Sequence, residues 1–283
     1  MATNSVLLRS GQRMPLLGLG TWQAKDEEIE RSVETALEEG YRHIDTAFNY
    51  NNEEAIGRAL KRWIDGGRLR REELFITTKL PHIGNRASDV ENFLEKSLSR
   101  LQLEYVDMYL VHVPFGFVPD NTGENPAKNN DGTFVLDDTD HVAVWKPAVP
   151  NWGFPSLPIR LLVHLAQKLT LNKNTTFNTR NDINAPDILQ HPLVKDIANA
   201  HQKSTAQVLL RHLVQQGIIV IPKSVNPHRI KENGQIFDFQ LTPDEMLQLN
   251  GLDLGENGRI INFLFWKGVE KHPEYPFKLQ SST

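Results

Sequence analysis

Apolar and polar positions alternate in two rhythms along the first half of the chain. Met14 to Gly20 is a short apolar segment with glycines and predicts a strand. Asp26 to Glu39 places Ile29, Val33, Ala36 and Leu37 at helical spacing, and Gly40 stops the helix. Tyr41 to Asp45 predicts a strand, Asn52 to Trp63 a helix, and Glu73 to Lys79 a strand. Ser88 to Leu101 lines Val90, Phe93, Leu94, Ser97, Leu98 and Leu101 along one helical face, and Val106 to His112 is an apolar strand. Strands alternating with helices predict a parallel sheet with helices packed outside it.

The same order returns near the end. Ile188 to Ala200 predicts a helix. Ser204-Thr-Ala-Gln207 has the form of a helix start ahead of Val208, Leu209, Leu210, Leu213 and Val214. Ile218 to Ile221 predicts a buried strand, followed by helices over Pro227 to Ile236 and Pro243 to Leu252. The tail is aromatic and irregular, with Phe263, Phe265, Trp266, Tyr275 and Phe277. Between the halves, Pro147, Pro150, Pro155 and Pro158 break the pattern, Ile159 to Leu171 could form one helix, and Asn172 to Asn184 is a polar run that reads as loop. A parallel strand–helix–strand unit takes roughly 30 residues, so residues 147 to 186 hold about one such unit rather than three.

Composition narrows the function classes. The 283 residues carry a formal net charge of −4, with no basic excess to attract nucleic acid or an anionic membrane. There is no cysteine, which excludes disulfides, thiolate nucleophiles and Cys-ligated metals. Met1 to Gln12 lacks a signal-peptide apolar block, and no apolar run reaches the roughly 20 residues of a membrane span. A cytoplasmic, monomeric protein is expected.

Parallel α/β folds carry their chemistry at the C-terminal ends of strands. Asp45, Lys79 and His112 each end a predicted strand, and Tyr50 lies five residues after Asp45. Taken singly, each has an ordinary role: a turn former, a surface lysine, a packing tyrosine, a structural histidine. Together they suit reduction of a carbonyl, which needs hydride on carbon and a proton on oxygen. A free Tyr, with a pKa near 10, is a poor acid at neutral pH. An adjacent Lys ammonium is expected to lower that pKa, an Asp to keep the Lys charged and aimed, and a His to orient the substrate oxygen.

The sequence here resembles the aldo-keto reductases. The matching segments are Met14-Pro-Leu-Leu-Gly-Leu-Gly-Thr-Trp22, Gly40-Tyr-Arg-His-Ile-Asp-Thr-Ala47, Tyr50 with Glu53-Glu-Ala-Ile-Gly57, Phe75-Ile-Thr-Thr-Lys79, Asp107-Met-Tyr-Leu-Val-His112 and Ile221-Pro-Lys-Ser-Val225 with Arg229, Glu232-Asn233 and Phe237. The resemblance implies an α/β fold of the (β/α)8 TIM-barrel type in a single domain over 1–283. It implies NADPH-dependent reduction of aldehydes or ketones, with Asp45, Tyr50, Lys79 and His112 as catalytic tetrad. Tyr50 would be the acid in reduction and, deprotonated, the base in oxidation. Gly20, Thr21 and Trp22 would line the nicotinamide site. Lys223, Ser224 and Arg229 would grip the adenosine 2′-phosphate, with Val225 also cofactor-binding and Asn233 on the adenine. Gly18-Leu-Gly20 lacks the third glycine of a dinucleotide fingerprint, in keeping with this non-Rossmann mode.

Three family segments are missing: the Gly-x-Ser-Asn strand end, the Asn-Gln strand and the Ala-Tyr-Ser-Pro-Leu strand. About three central strand–helix units are thus expected to be lost or replaced between Pro147 and Pro186, leaving an incomplete barrel. The family often has Trp where Val113 stands, which would reshape the pocket. A variant that keeps the tetrad but holds nicotinamide poorly is the alternative reading. A metal hydrolase would need paired His ligands such as His-x-His at strand ends, and none is present. The aromatic tail either caps the pocket or packs across the barrel's outside.

Overall fold

A computed structural model describes residues 4–148, 187–255 and 261–277. The predicted helix Ile159 to Leu171 and loop Asn172 to Asn184 lie outside them. Strands β1 (Ser5–Leu7) and β2 (Arg13–Pro15) form an antiparallel hairpin. There follow β3 (Leu19–Gly20), α1 (Asp26–Glu38), β4 (His43–Asp45), α2 (Glu53–Asp65), β5 (Phe75–Leu80), α3 (Val90–Leu101) and β6 (Met108–Val111). After a second hairpin, β7 (Gly116–Phe117) with β8 (Leu136–Asp137), comes α4 (His141–Ala148). The described chain resumes with α5 (Pro192–His201), α6 (Thr205–Gln215), α7 (Pro227–Gly234) and α8 (Pro243–Asn250).

The central sheet is parallel, in the order β3-β4-β5-β6. The stretch after α6 joins its other edge through parallel bridges of Val220 to Leu17 and Lys223 to Gly20. The predicted strand Ile218 to Ile221 therefore survives as one isolated bridge at Val220, with a second just beyond it at Lys223. Pro222 explains the interruption, since it has no N–H to give to a ladder. Gly20 is needed at this seam: a Cβ there would stand 2.6 Å from the Ile221 carbonyl oxygen. Among the described residues, neither β6 nor the 218–223 stretch has a further strand partner on its outer side.

The helices bury the faces their spacing predicts. Ile29, Val33 and Leu37 of α1, Ile56 and Leu60 of α2, and Leu94 and Leu101 of α3 close over Leu19, Ile44 and Ile76 of the sheet, with Leu210 and Leu213 of α6 in the same core. Gly57 lets α2 meet the end of α3, where a Cβ would lie 2.5 Å from the Arg100 carbonyl oxygen. The helix start at Ser204 is a reciprocal box: the Gln207 N–H donates to Ser204 Oγ (3.2 Å) and the Ser204 N–H to Gln207 Oε1 (2.9 Å). The Tyr41 hydroxyl donates to the Ile230 carbonyl at 2.8 Å, tying the start of β4 to α7.

His43 on β4 is 1% exposed, and burial pushes its imidazole down to about 4. Burial likewise brings His82 down to about 4. Both are neutral in the fold and gain protons on unfolding, so their contribution to stability is full above about pH 6.5 and lost as the pH falls toward 4. The midpoint of urea unfolding is expected to drop between pH 7 and pH 5, and an unchanged midpoint would contradict neutral burial of these rings.

Candidate active site

The strand register brings the site together. Lys223 pairs with Gly20, Gly20 with Asp45, Asp45 with Thr77, and Thr77 with Met108, in one row across the sheet. Lys79 lies two residues further along β5, opposite Leu110, and His112 follows β6. Tyr50 ends a single 3-10 turn, Phe48–Tyr50, that leaves β4 and closes with Asn51 at a φ of 52°.

All four predicted tetrad residues meet here. Lys79 Nζ donates to Asp45 Oδ1 at 2.7 Å and to the Thr46 carbonyl at 2.7 Å, with Tyr50 close enough to interact electrostatically with it. The ammonium thus has two close oxygen acceptors although its side chain is only 11% exposed. The ammonium lies 5.0 Å from the centre of the Tyr50 ring, and the Tyr50 and His112 rings meet edge to face with centroids 5.3 Å apart. Burial alone would push the Lys79 ammonium down, but Asp45 and Tyr50 outweigh it and hold it above its ordinary value.

Two charge states are informative. Burial, with the positive charge of Lys79 and the neighbouring His82 acting the same way, holds His112 well below the usual imidazole range, so it is neutral at physiological pH. Its Nδ1 is buried without a partner, so the ring can meet an incoming group only through Nε2. The Tyr50 phenol departs from the sequence-based expectation. Burial pushes it up, Lys79 pulls it down and Asp45 pushes it up again, and the net direction is upward. Desolvation of the phenolate wins over attraction by the ammonium.

The residues expected to hold a dinucleotide lie along the adjoining edge. Thr21 is fully buried and its hydroxyl donates to the Asp45 carbonyl at 2.9 Å, while Trp22 is half-buried beside it. Ser224 is buried, and Lys223 and Val225 are half-buried. Asn226 caps α7 by accepting the Arg229 N–H at 3.2 Å, which sets the exposed Arg229 in the first turn and the buried Asn233 one turn on. Among the described residues, neither Lys223 nor Arg229 forms an ion pair, so two cations stand uncommitted beside a helix N-terminus. That donor set fits a phosphate.

Beyond Tyr50 lies a wall in which His82, Phe115 and Phe117, which no local sequence pattern marks, meet the aromatic tail. His82 stacks on Trp266 with centroids 5.0 Å apart, accepts the Asn49 amide N–H on Nδ1 at 2.8 Å, and packs against Phe117. Phe263 and Trp266 lie against Phe115, so the tail covers the loops leaving β5 and β6 rather than the helices outside the sheet. Val113 is buried in the same cluster. Long sequence separation hides this wall from any local pattern.

The family model described as "Aldo/keto reductase family" matches residues 16–142 and 163–254. The chain belongs to the aldo/keto reductase family. It is 37% identical to aldo-keto reductase family 1 member A1 of Mus musculus and of Homo sapiens, over 98% of this chain and 99% of each relative. A solved structure of the aldose reductase from Schistosoma japonicum matches with a TM-score of 0.81 at 33% identity, covering 97% of this chain and 98% of that one. Membership of this family makes the chain an oxidoreductase of carbonyl-reducing type with an α/β barrel fold, and the five adjoining parallel segments described above are the barrel's. Each mammalian alignment runs over 326 positions against 283 residues here, so at least 43 positions have no residue of this aldo/keto reductase.

Replacing Asp45 by Asn removes the charge that compensates a buried ammonium, which costs about 3–5 kcal/mol for a buried pair. Urea unfolding of Asp45→Asn should show a loss of that order; a loss below about 1 kcal/mol would mean that the pair is solvent-screened.

Proposed function

We propose that this chain is an NADPH-dependent reductase of aldehydes and ketones in which Tyr50 delivers the proton and Asp45, Lys79 and His112 serve it. The observation that supports the reading is the Lys79 ammonium bonded to Asp45 and 5.0 Å from the centre of the Tyr50 ring, with the neutral His112 ring against Tyr50. The bound dinucleotide would supply the hydride. Tyr50 is protonated through neutral pH, as an acid must be before it acts. As negative charge develops on the carbonyl oxygen, the proton moves from Tyr50 Oη to that oxygen, and Lys79 stabilises the phenolate left behind. His112, neutral, donates its one N–H to the same oxygen and orients it. In oxidation the phenolate takes the proton back, so that direction is favoured as the pH rises.

Gly20, Thr21 and Trp22 would bound the nicotinamide end; Lys223, Ser224 and Arg229 would bind the 2′-phosphate, with Val225 beside them in the cofactor site and Asn233 on the adenine. The chain is read as one domain over 1–283, with 147–186 as a replacement segment, and as a cytoplasmic monomer acting on a small-molecule carbonyl. Among the described residues no helix is long and apolar enough to cross a membrane, and no His/Cys/Asp/Glu group could hold a metal.

A second reading, an impaired member that keeps the tetrad but binds nicotinamide poorly, is favoured by the positions missing from the alignments. Quenching of protein fluorescence by NADPH separates the two: saturable quenching with aldehyde turnover supports the first, and no saturable binding the second. On the first reading, Tyr50→Phe lowers turnover by about 10² or more and leaves NADPH affinity within about twofold. Arg229→Ala should weaken NADPH by about tenfold with little effect on NADH; equal losses for both would remove Arg229 from the phosphate site.

A further inference from the structure

Asp45, Lys79 and Tyr50 come from three pieces of chain, and the residues beside them are bonded to one another. Thr46, next to Asp45, donates its hydroxyl to Asn52 Oδ1 at 2.9 Å. Asn52 in turn donates to the Thr21 carbonyl (2.8 Å) and the Ala24 carbonyl (2.9 Å). Thr78, next to Lys79, donates its hydroxyl to Glu53 Oε1 at 2.6 Å. Glu53 opens α2 only three residues after Tyr50, is 1% exposed, and takes Ser97 on its other oxygen at 3.2 Å, with the Arg100 guanidinium 3.9 Å away.

We propose that Thr78 and Glu53 are positioning residues that fix the Tyr50 hydroxyl relative to the Lys79 ammonium. This rests on the reading of Tyr50 as the proton donor. Burying a carboxylate is costly, and an apolar side chain could fill the same space without that cost. Here the carboxylate is held by two hydroxyls and lies near a guanidinium, and its two bonded oxygens join β5 and α3 to the helix that Tyr50 precedes. Both ties follow the Tyr50 turn directly: Glu53 joins it to the strand carrying Lys79, and Asn52 joins it back to Thr46, next to Asp45. Glu53 also lies within electrostatic reach of Lys79, so the brace and the charge pair share one environment. Without the Thr78 hydroxyl the turn and the strand can separate, the ammonium moves off the phenol, and the phenolate loses its stabilisation.

The test is Thr78→Val, with Thr78→Ser as rescue and Thr78→Ala in its place should the valine variant not fold. The chain's five tyrosines are labelled at 13Cζ and titrated, the Tyr50 signal being the one absent from Tyr50→Phe. Thr78→Val is expected to raise the Tyr50 titration midpoint by at least about half a unit. It should also lower kcat for aldehyde reduction by about tenfold, with KM within about twofold. Thr78→Ser should restore both. An unchanged Tyr50 titration overturns the proposal even if kcat falls, because a hydroxyl that serves only the fold would not move it. Full turnover in Tyr50→Phe would instead sink the proton-donor reading, and the titration would still decide the brace.

Discussion

A lysine ammonium taken out of water organises this molecule's working end. Lys79 is held there because the Asp45 carboxylate and the Thr46 carbonyl take its protons, with Tyr50 within electrostatic reach. Those partners come from β4 and the turn after it, so satisfying one cation fixes the relation of two strands and a turn. The requirement runs outward. The Thr21 hydroxyl on the Asp45 carbonyl fixes the end of β3, and Gly20 admits the 218–223 stretch against that end. The edge carrying Lys223 and the edge carrying His112 are thus referred to the same central pair.

Burial and charge pull against each other at Tyr50, and the outcome bears on direction. The phenol stays protonated well past neutrality, since burial penalises the phenolate more than Lys79 favours it. Such a group is poised to give a proton and reluctant to take one until charge appears beside it. Neutral His112 fits the same logic, because an imidazolium next to Lys79 would add a second positive charge to one small volume.

Much of this was legible in the residues. Apolar spacing located α1, α2 and α3 to within two residues at each end, because those helices are amphipathic and bury one face against one sheet. Strand ends located Asp45, Lys79 and His112, because the parallel register turns the ends of neighbouring strands into one rim. The direction of the Tyr50 shift was not legible, since it depends on how much water the fold removes rather than on which cation lies nearby. The two short hairpins and the rim wall were not legible either. Ser5–Leu7 pairs across a polar turn without a clear alternation, and Trp266 meets His82 across most of the chain length. Pro222 offered a readable signal that the last strand would be broken into bridges.

The joint between the second hairpin and the tail carries a consequence for how the molecule assembles. The Phe134 N–H donates to the Lys267 carbonyl at 3.0 Å, the Lys267 ammonium to the Asp131 carbonyl at 2.6 Å, and the His272 ring bonds the Asp137 carbonyl at 2.8 Å. Contacts so distant along the chain form only after the intervening chain has been drawn in, and the entropy of closing that loop delays them. During synthesis, strands β3 to β6 can pair long before the last residues leave the ribosome. The mouth of the cleft therefore gains its aromatic roof as the final act of folding, and a chain cut short of Phe263 would present its rim bare.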